Sequence, residues 1–598
     1  MKKEIVELRE KMKENGIDVY FVPSGDYHSS EYVNDYFKER EFASGLTGES
    51  GELIVNSEGA YLWTDGRYFL QAETQLAGSE IELMRMAEPG VPTVEEFLED
   101  LGKKHKGFTF GYYGRVLNAD RGNELKELLS KYDVQFKLDK DLVGEVWTDR
   151  PELKPTEIYE LPLSTVGKTC EEKLADVRKA MADKGTDYLL ITDLMESAWL
   201  FNLRADDIAY TPVFFGYTLV SQDEVKLFVM DGALKKDASG KPVLPSDQLN
   251  FVKVEDYYDI DKAVAALPAD KTLWVDEGTC NYLLSLQIPS GMKIVNEMTP
   301  IAMMKAQKNE VEIKSTLNAH LKDGVAMVNL IYWLKNHVGK EKITELDVAA
   351  KLRGFRAAQE GFFDISFETI AGYGKNGAII HYAPTPESDT ELQPEGFLLL
   401  DSGGHYMDGT TDITRTIKLG PVTQEMIDGY TYVLKSHIAM ATAELTPDQN
   451  GIDLDRITRA PMRAAGLDFK HGLSHGIGHL LSVHEGPNRI SKTGSSTPLK
   501  PGMITSNEPG VYIENKFGIR LENLILCRCR EHAPGFLDFE TLTLVPFDRD
   551  AILPERMTRE ELDILNDYHA RVYDCISPYL NESERTWLET ATAPISKE

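Results

Sequence analysis

Four separate segments in the second half of the chain carry acids and histidines that could bind metal ions or transfer protons. They are FLLLDSGGHYMDGTTDITRT with Asp401 and Asp412, HGLSHGIGHLLSVHEGP with His471, His475, His479 and His484, SNEPGVY with Glu508, and FGIRLEN with Glu522. Asp401 directly follows an apolar run and Glu522 lies in an apolar frame, and a carboxylate buried in such a strand must be paired or must bind a metal. Several carboxylates and one imidazole therefore predict a site for two metal ions, which lie ~3.5–4 Å apart in such centres and activate a water molecule.

Strands are needed to bring these acids together. The run FLLL predicts a buried strand, and GTTDITRT alternates like a second strand that pairs with it through a turn at Ser402–Gly404. Such a hairpin would place Asp401 and Asp412 side by side. Glu522 shares its period-2 face with Arg520, so Arg520 could form an ion pair with Glu522 or with Asp412.

A long amphipathic helix pattern precedes these segments. The sequence KNEVEIKSTLNAHLKDGVAMVNLIYWLKNHV places Val311, Leu317, Leu321, Val325 and Val328 near one face. Near the end of the chain, Leu562, Leu565, Val572 and Trp587 predict an amphipathic extension that covers the same domain. We therefore expect one domain at 303–598, with a carboxy-terminal extension from about residue 545.

The first half of the chain contains an internal repeat. Arg9, Met12, Gly16 and Asp18 recur, at an offset of 169 residues, as Arg178, Met181, Gly185 and Asp187. Each copy predicts a helix ended by a glycine and followed by a buried strand, VYFV or YLLI. Both copies continue into a predicted hairpin. We expect two related α/β domains, 1–155 and 156–302, with the proline-containing stretch around Pro151 and Pro155 as the linker.

Composition excludes several classes of function. With 65 Lys and Arg against 97 Asp and Glu, the net charge is −32, which argues against binding to nucleic acid or to an anionic membrane. No run of ~18 apolar residues predicts a membrane span, and the first residues lack the apolar block of a secretory signal. The five cysteines form no CxxC pair and no disulfide framework, so we expect a reducing, cytoplasmic location.

The set of acids and histidines resembles the five ligands of the pita-bread metallopeptidases of family M24. The phrases AIIHYAP, LDSGGHYMDGTTDITRT, HGLSHGIGH, VHEGP, SNEPGVY and FGIRLEN match that family's pattern. The resemblance is closest to the three-domain, cytosolic type of Xaa-Pro aminopeptidase and covers essentially the whole chain. It implies an α/β (α+β) fold in which two creatinase-like domains precede a pita-bread catalytic domain.

The resemblance also implies a role for each matched residue. Asp401, Asp412, His475, Glu508 and Glu522 would hold two divalent ions, with Asp412 and Glu522 bridging them. Mn(II) is the favoured ion, because four carboxylates and one imidazole form a hard, oxygen-rich site. A hydroxide between the two ions would attack the peptide, and Glu508 would carry its proton.

The remaining matched residues would contact the substrate. His381 and His484 would hydrogen-bond the substrate and the tetrahedral intermediate, while His471, Tyr512 and Arg520 would form the pocket for proline. The expected activity releases the first residue from peptides with proline at the second position. The resemblance further implies a homodimer formed through the carboxy-terminal domain.

Other interpretations stay open on the residues alone. Gly472–Gly476 fits the G-x-S-x-G pattern of serine hydrolases, but the preceding DFKHG is a poor strand. A prolidase that cleaves Xaa-Pro dipeptides, or a binding protein without activity, could be built on the same fold. The roles of His405 and His479 are not assigned by the sequence, although a structural or surface role is favoured for both.

Overall fold

Gly16 and Gly185 end the first helices of two similar chain segments. The helices Lys3–Asn15 and Cys170–Lys184 stop where these glycines adopt φ of 59° and 72°, a left-handed conformation that a side chain would strain. Buried strands, Val19–Pro23 and Tyr188–Ile191, follow directly. The helix–glycine–strand prediction is therefore confirmed for both copies of the repeat.

Each of these strands occupies the same place in a six-stranded sheet. In spatial order, the strands of the first sheet are Glu82–Arg85, Ala60–Thr64, Glu52–Asn56, Val19–Pro23, Thr109–Gly111 and Gln135–Lys137, and those of the second are Lys253–Asp256, Val225–Val229, Gly216–Ser221, Tyr188–Ile191, Thr272–Val275 and Lys293–Asn296. In both sheets the strand after the first helix pairs antiparallel with the predicted hairpin and parallel with a later strand. The two α/β halves thus share one topology, as expected.

Short elements complete this part of the chain. The further helices are Glu39–Ser44, Phe69–Gln75, Val94–Lys104, Ala119–Ser130, Leu142–Val146, Leu163–Val166, Leu194–Phe201, Ile260–Ala265 and Tyr282–Ser285. Two-residue strands pair Tyr159–Glu160 with Leu203–Arg204 and Lys235–Lys236 with Pro242–Val243.

The computed structural model describes residues 2–446, 448–493, 497–530 and 532–597. It divides into one unit of Met1–Leu161 with Lys168–Ala302 and a second unit of Pro162–Gly167 with Met303–Glu598. The first unit contains both six-stranded sheets, and the second contains the acids and histidines singled out above. Within the described residues, no helix has the length and apolar character needed to cross a membrane.

The second unit combines helices with short antiparallel sheets. Its helices are Glu310–His337, Glu345–Ala357, Gln424–Ala441, Gly451–Ala464, Arg559–Ile576 and Glu582–Ala591, and the helix Pro300–Ala306 leads into it. In spatial order, its strands are Ile370–Tyr373, Phe397–Ser402 and Ile413–Lys418 in one sheet, Glu485–Ile490, Ser474–Gly476, Ile504–Asn507, Asn523–Cys529 and Leu537–Thr541 in a second, and Phe362–Ile365, Gly404–Tyr406 and Gly409–Thr410 in a third, with Gly510–Ile513 and Phe517–Arg520 forming a separate hairpin.

The long helix prediction is confirmed, with one exception at its start. Val325 and Val328 are buried on the helix Glu310–His337, but Val311 is 36% exposed and contributes little to the core. Val311 lies in the first turn, where the backbone is capped by Asn309. The carboxy-terminal extension also forms helices, and its residues Leu562, Leu565 and Val572 are buried as expected.

The strands Phe397–Ser402 and Ile413–Lys418 pair as predicted, although the turn between them was predicted wrongly. Ser402 lies opposite Ile413, but residues 404–410 do not form a simple turn. They form a second hairpin, which pairs with the strand Phe362–Ile365 in another sheet. The chain therefore leaves the first sheet after Ser402 and returns to it at Ile413.

Candidate metal centre

Strand alternation directs Asp401 away from the helix-covered core. Leu398 and Leu400 pack into the core beneath the long helix, so Asp401, at the other parity, faces the opposite side of the sheet. Its partner in the antiparallel register is Thr414. Asp412 directly precedes the strand Ile413–Lys418, which contains Thr414, and the same alternation places Asp412 on the face of Thr414.

Three predicted ligands, which come from distant parts of the chain, converge. One donor atom from each of Asp412, His475 and Glu522 lies within 4.8 Å of the other two. Nε2 of His475 is 3.5 Å from Oδ2 of Asp412 and also 3.5 Å from Oε1 of Glu508. These four side chains therefore enclose one small volume in which a cation would meet several donors at once.

The tautomer of His475 suits a ligand. Its Nδ1 lies 3.0 Å from the carbonyl oxygen of Gly476, which can only accept a hydrogen bond, so Nδ1 carries the proton. In the neutral ring Nε2 is therefore the nitrogen with the free lone pair, and it lies on the side of the carboxylates of Asp412 and Glu508. Such a backbone contact fixes the ring of a metal-binding histidine.

Burial and mutual repulsion raise the pKa of three of the acids. For Asp412, burial has the largest effect, followed by the charges of Asp401 and Glu508. The pKa of Glu522 is raised by burial and by the charges of Asp412 and Asp401, and that of Glu508 by burial and the charge of Glu522. The charge of Arg520 lowers the pKa of each of the three, but it does not offset burial and the repulsion among the carboxylates.

Arg520 provides one positive charge to the cluster, but its partner differs from the prediction. Its Nη2 lies 2.6 Å and its Nε 3.2 Å from Oδ2 of Asp401. The expected ion pair with Glu522 or Asp412 is therefore wrong. Arg520 and Glu522 both contact Oγ1 of Thr414, at 3.3 Å and 2.7 Å, so they do share a face, but the guanidinium is directed at the carboxylate of Asp401.

Several carboxylate oxygens at this site have no hydrogen-bond partner. Among the described residues, Oδ1 of Asp401, Oδ1 of Asp412 and Oε1 of Glu522 are buried without one. A buried polar atom without a partner costs about 1–3 kcal/mol, and more if it is charged. Divalent cations fit this set, because they would coordinate the three oxygens and offset the excess negative charge.

The predicted pocket residues form a chain that leads to Asp401. Tyr512 OH lies 2.9 Å from Nε2 of His471 and 2.7 Å from Nη1 of Arg520. Arg520 can only donate, so Tyr512 accepts from it and donates to His471. Burial raises the pKa of Tyr512 to about 12, so its hydroxyl stays protonated over the ordinary pH range.

The other predicted histidines differ in how closely they lie to this cluster. The ring of His484 is perpendicular to that of His475, with centroids 4.3 Å apart. His381 is partly buried and directly follows Ile380, whose carbonyl accepts a hydrogen bond from Arg520 at 3.3 Å. The structure therefore brings His484 against the cluster and joins the segment of His381 to it through Arg520.

His405, His479 and the serine of the G-x-S-x-G pattern are buried and hydrogen-bonded to threonine hydroxyls. His405 and His479 are buried, with Nδ1 atoms 3.0 Å from Oγ1 of Thr410 and 3.4 Å from Oγ1 of Thr316, respectively. Ser474 is buried on a strand and its hydroxyl contacts that of Thr505. A surface role for either histidine is thus excluded.

Sequence reasoning missed the hydroxyl groups that hold the acids. Thr414 donates to Oε2 of Glu522 at 2.7 Å, and Ser506 donates to Oε1 of Glu508 at 3.2 Å. Arg415 holds the main-chain carbonyl of Glu522 at 2.7 Å. The alternation of Asp412 and Thr414 on one strand could have indicated Thr414, whereas no local pattern indicates Ser506 or Arg415.

Comparison with known proteins gives the same picture along the whole chain. Residues 314–528 match the model of metallopeptidase family M24, and 535–595 match the C-terminal region of peptidase M24. Residues 5–138 and 149–312 each match a creatinase/prolidase N-terminal domain.

Similar proteins cover nearly the full length. Aminopeptidase P1 of Arabidopsis thaliana is 36% identical over 97% of both chains, and a probable Xaa-Pro aminopeptidase P of Talaromyces marneffei is 38% identical over 99% of this chain and 92% of its own. The crystal structure of X-prolyl aminopeptidase from Caenorhabditis elegans, described as a cytosolic enzyme with a di-nuclear active site, has a TM-score of 0.93 and 31% identity over 99% of each chain. The chain therefore belongs to metallopeptidase family M24 and, within it, to the aminopeptidase P family.

Proposed function

We propose that this protein is a metal-dependent Xaa-Pro aminopeptidase, which releases the first residue from peptides with proline at the second position. The observation that carries the proposal is the convergence of Asp412, His475 and Glu522 in a chain 36% identical, over 97% of its length, to an aminopeptidase P. A single-domain peptidase of the same fold would be too short to account for residues 1–302, which this match includes. The substrates are peptides rather than nucleic acid.

The metal site consists of Asp401, Asp412, His475, Glu508 and Glu522. These five side chains would hold two divalent cations, and Mn(II) is the favoured ion because the donors are mostly carboxylates. When bound, the two cations supply Lewis acidity to the scissile carbonyl and acidity to the attacking water.

Side chains of the protein perform the proton transfers and hold the substrate. The carboxylate of Glu508, which Ser506 orients through Oε1, accepts the proton of the attacking water and returns it to the leaving nitrogen of proline. His484 and His381 hydrogen-bond the peptide and the oxygen on which negative charge develops. Both rings are placed on segments that contact the cluster.

The proline specificity is assigned to His471, Tyr512 and Arg520. An Xaa-Pro bond has no N–H and a fixed φ, so its pocket must fit a flat ring without needing a backbone donor. A hydrogen-bonded row of Arg520, Tyr512 and His471 is suited to this, since Tyr512 and His471 offer ring surfaces that their hydrogen bonds hold in place.

We also propose three features of the molecule around the site. The domain boundaries are 1–155, 156–302 and 303–598, supported by one six-stranded sheet in each of the first two ranges. The location is cytoplasmic, by analogy with the cytosolic X-prolyl aminopeptidase of similar structure. The protein forms a homodimer through the carboxy-terminal domain, as in the family it resembles.

The test is hydrolysis of two substrates by protein that has been dialysed against a chelator and reloaded with Mn(II). We expect rapid cleavage of an Xaa-Pro-Xaa tripeptide, dependence on the added metal, and bound metal at two ions per chain. Rapid cleavage of an Xaa-Pro dipeptide alone would instead identify a prolidase. Failure to cleave either peptide, with metal bound, would reject the enzymatic proposal in favour of a binding protein.

A further inference from the structure

Arg459 is a fully buried arginine whose guanidinium reaches the segment that carries His471. Its Nε lies 2.9 Å from both carboxylate oxygens of Asp455, and its Nη1 lies 2.6 Å from Oδ1 of Asp468. The other donor contacts are to main-chain carbonyls, that of Phe469 at 2.8 Å and that of His471 at 3.1 Å. One side chain thus fixes the backbone on both sides of residue 470.

A stack of rings reinforces this attachment. The guanidinium carbon of Arg459 lies 3.6 Å from the centroid of the Phe469 ring, and that centroid lies 4.7 Å from the centroid of the His471 ring. On its other side, His471 bonds to the carbonyl of Gly472 through Nδ1 at 2.6 Å and to Tyr512 through Nε2 at 2.9 Å. The imidazole therefore packs against Phe469 and bonds to Tyr512, while Arg459 holds the Phe469 ring and the main-chain carbonyl of His471.

We propose that Arg459 is a positioning residue for proline recognition, acting through His471. This inference rests on the function proposed above, in which His471 and Tyr512 line the proline pocket. A pocket that recognises a rigid ring needs its own rings held to a fraction of an ångström. The planar fork of arginine suits this task because it bonds two carboxylates and two carbonyls at once, which lysine cannot do.

A matched pair of variants tests the proposal. Arg463 lies one helical turn further along and contacts the same Asp468, at 3.3 Å, but its side chain is 45% exposed. We expect Arg459→Lys to raise KM for an Xaa-Pro-Xaa tripeptide about tenfold or more, with a smaller change in kcat, because a displaced positioning group costs binding. Arg463→Lys should leave both constants within about twofold, as for an ordinary surface position, and bound manganese should be unchanged in both variants.

Coupling to His471 separates positioning from a general loss of structure. In a His471→Asn background, Arg459→Lys should cause no further rise in KM, since the group through which it acts is already gone. Equal effects of Arg459→Lys in the two backgrounds would overturn the proposal. Phe469→Leu, which removes the stack but keeps the ion cluster, provides a second variant if Arg459→Lys does not fold, and it should also raise KM.

A spectroscopic readout makes the test independent of activity. In protein loaded with diamagnetic Zn(II) in place of Mn(II), the ring ¹³Cε1–¹H resonance of His471, assigned by its loss in His471→Asn, should shift in Arg459→Lys or Phe469→Leu and stay in place in Arg463→Lys. An unmoved resonance would contradict the positioning role. If the wild-type protein cleaves no proline peptide, the proposed function fails, while this resonance still decides whether Arg459 positions His471.

Discussion

At the residue scale, the centre is a group of acids with too little positive charge. The charge of Arg520 is directed to Oδ2 of Asp401, and the other oxygens of that group face one another. Burial and this repulsion raise the pKa of Asp412, Glu508 and Glu522. Protons or metal ions must therefore reduce the charge, and a divalent cation can also satisfy the buried oxygens that lack a partner.

The first prediction concerns Asp412→Asn. We expect this variant to lose bound metal and all measurable peptidase activity, while the metal-free protein is at least as stable as the metal-free wild type, because one of the repelling charges is gone. Metal content after dialysis and urea unfolding of metal-free samples measure the two effects. Glu514→Gln is the control, since Glu514 is exposed; equal metal binding by Asp412→Asn would remove this residue from the ligand set.

The second prediction concerns the hydroxyl of Tyr512. Tyr512→Phe breaks the link between Arg520 and His471 but leaves the ion pair of Arg520 with Asp401. We expect kcat/KM for an Xaa-Pro-Xaa tripeptide to fall about tenfold, the equivalent of a hydrogen bond to a charged group at ~1.5 kcal/mol, with unchanged metal binding. Unchanged kinetics would show that Tyr512 is a packing residue rather than part of the pocket.

At the element scale, two strands and one helix decide where the site lies. The strands Phe397–Ser402 and Ile413–Lys418 pack Leu398, Leu400, Ile413 and Ile417 against the long helix. This packing leaves Asp401 and Thr414 on the other face. On another side of the long helix, the extension packs Leu588 and Val572 against Val325 and Val328, so the last helix supports the element on which the sheet rests.

The third prediction tests this support. Leu588 is fully buried, and Leu588→Ala should lower the free energy of unfolding by about 2–5 kcal/mol, through lost burial and the cavity that remains. Urea unfolding monitored by circular dichroism measures the loss. Glu589→Ala, at the next and exposed position, should have little effect, and a similar loss in both variants would show that burial of Leu588 is not what stabilises the extension.

At the scale of the whole molecule, burial of two histidines links stability to pH. His437 and His569 lie against Phe547, over which Arg415 is stacked. Burial, and then the charge of Arg415, lowers the pKa of both histidines to about 3. An unfolded chain would protonate them below about pH 6.5, whereas the folded chain keeps them neutral, so unfolding takes up protons in this range.

The fourth prediction follows from this proton uptake on unfolding. Between pH 6.5 and pH 3 each histidine should reduce stability as the pH falls, by up to ~1.4 kcal/mol per pH unit. His437→Phe should therefore lose less stability than the wild type when the pH is lowered from 6.5 to 4.5. The midpoints of urea unfolding at the two pH values measure this loss of stability. His105→Phe is the control, because His105 is exposed. A slope equal to that of the wild type would show that His437 does not remain neutral.

Local patterns in the sequence determined which residues could form the site and on which elements they lie. The recurrence of a helix, a glycine and a buried strand predicts two related α/β domains, and the apolar runs before Asp401 and around Glu522 predict buried acids. These inferences succeed because they depend on backbone geometry that repeats every two or 3.6 residues.

Tertiary structure alone decided which residues meet across that face. Arg520 pairs with Asp401, 119 positions away, rather than with the nearby Glu522, because the packing of distant strands sets which carboxylate its guanidinium meets. Likewise, Arg459 reaches His471 only because a helix packs beside that segment. Periodicity specifies a face, but the partner on that face depends on how distant elements pack, and no local pattern records their packing.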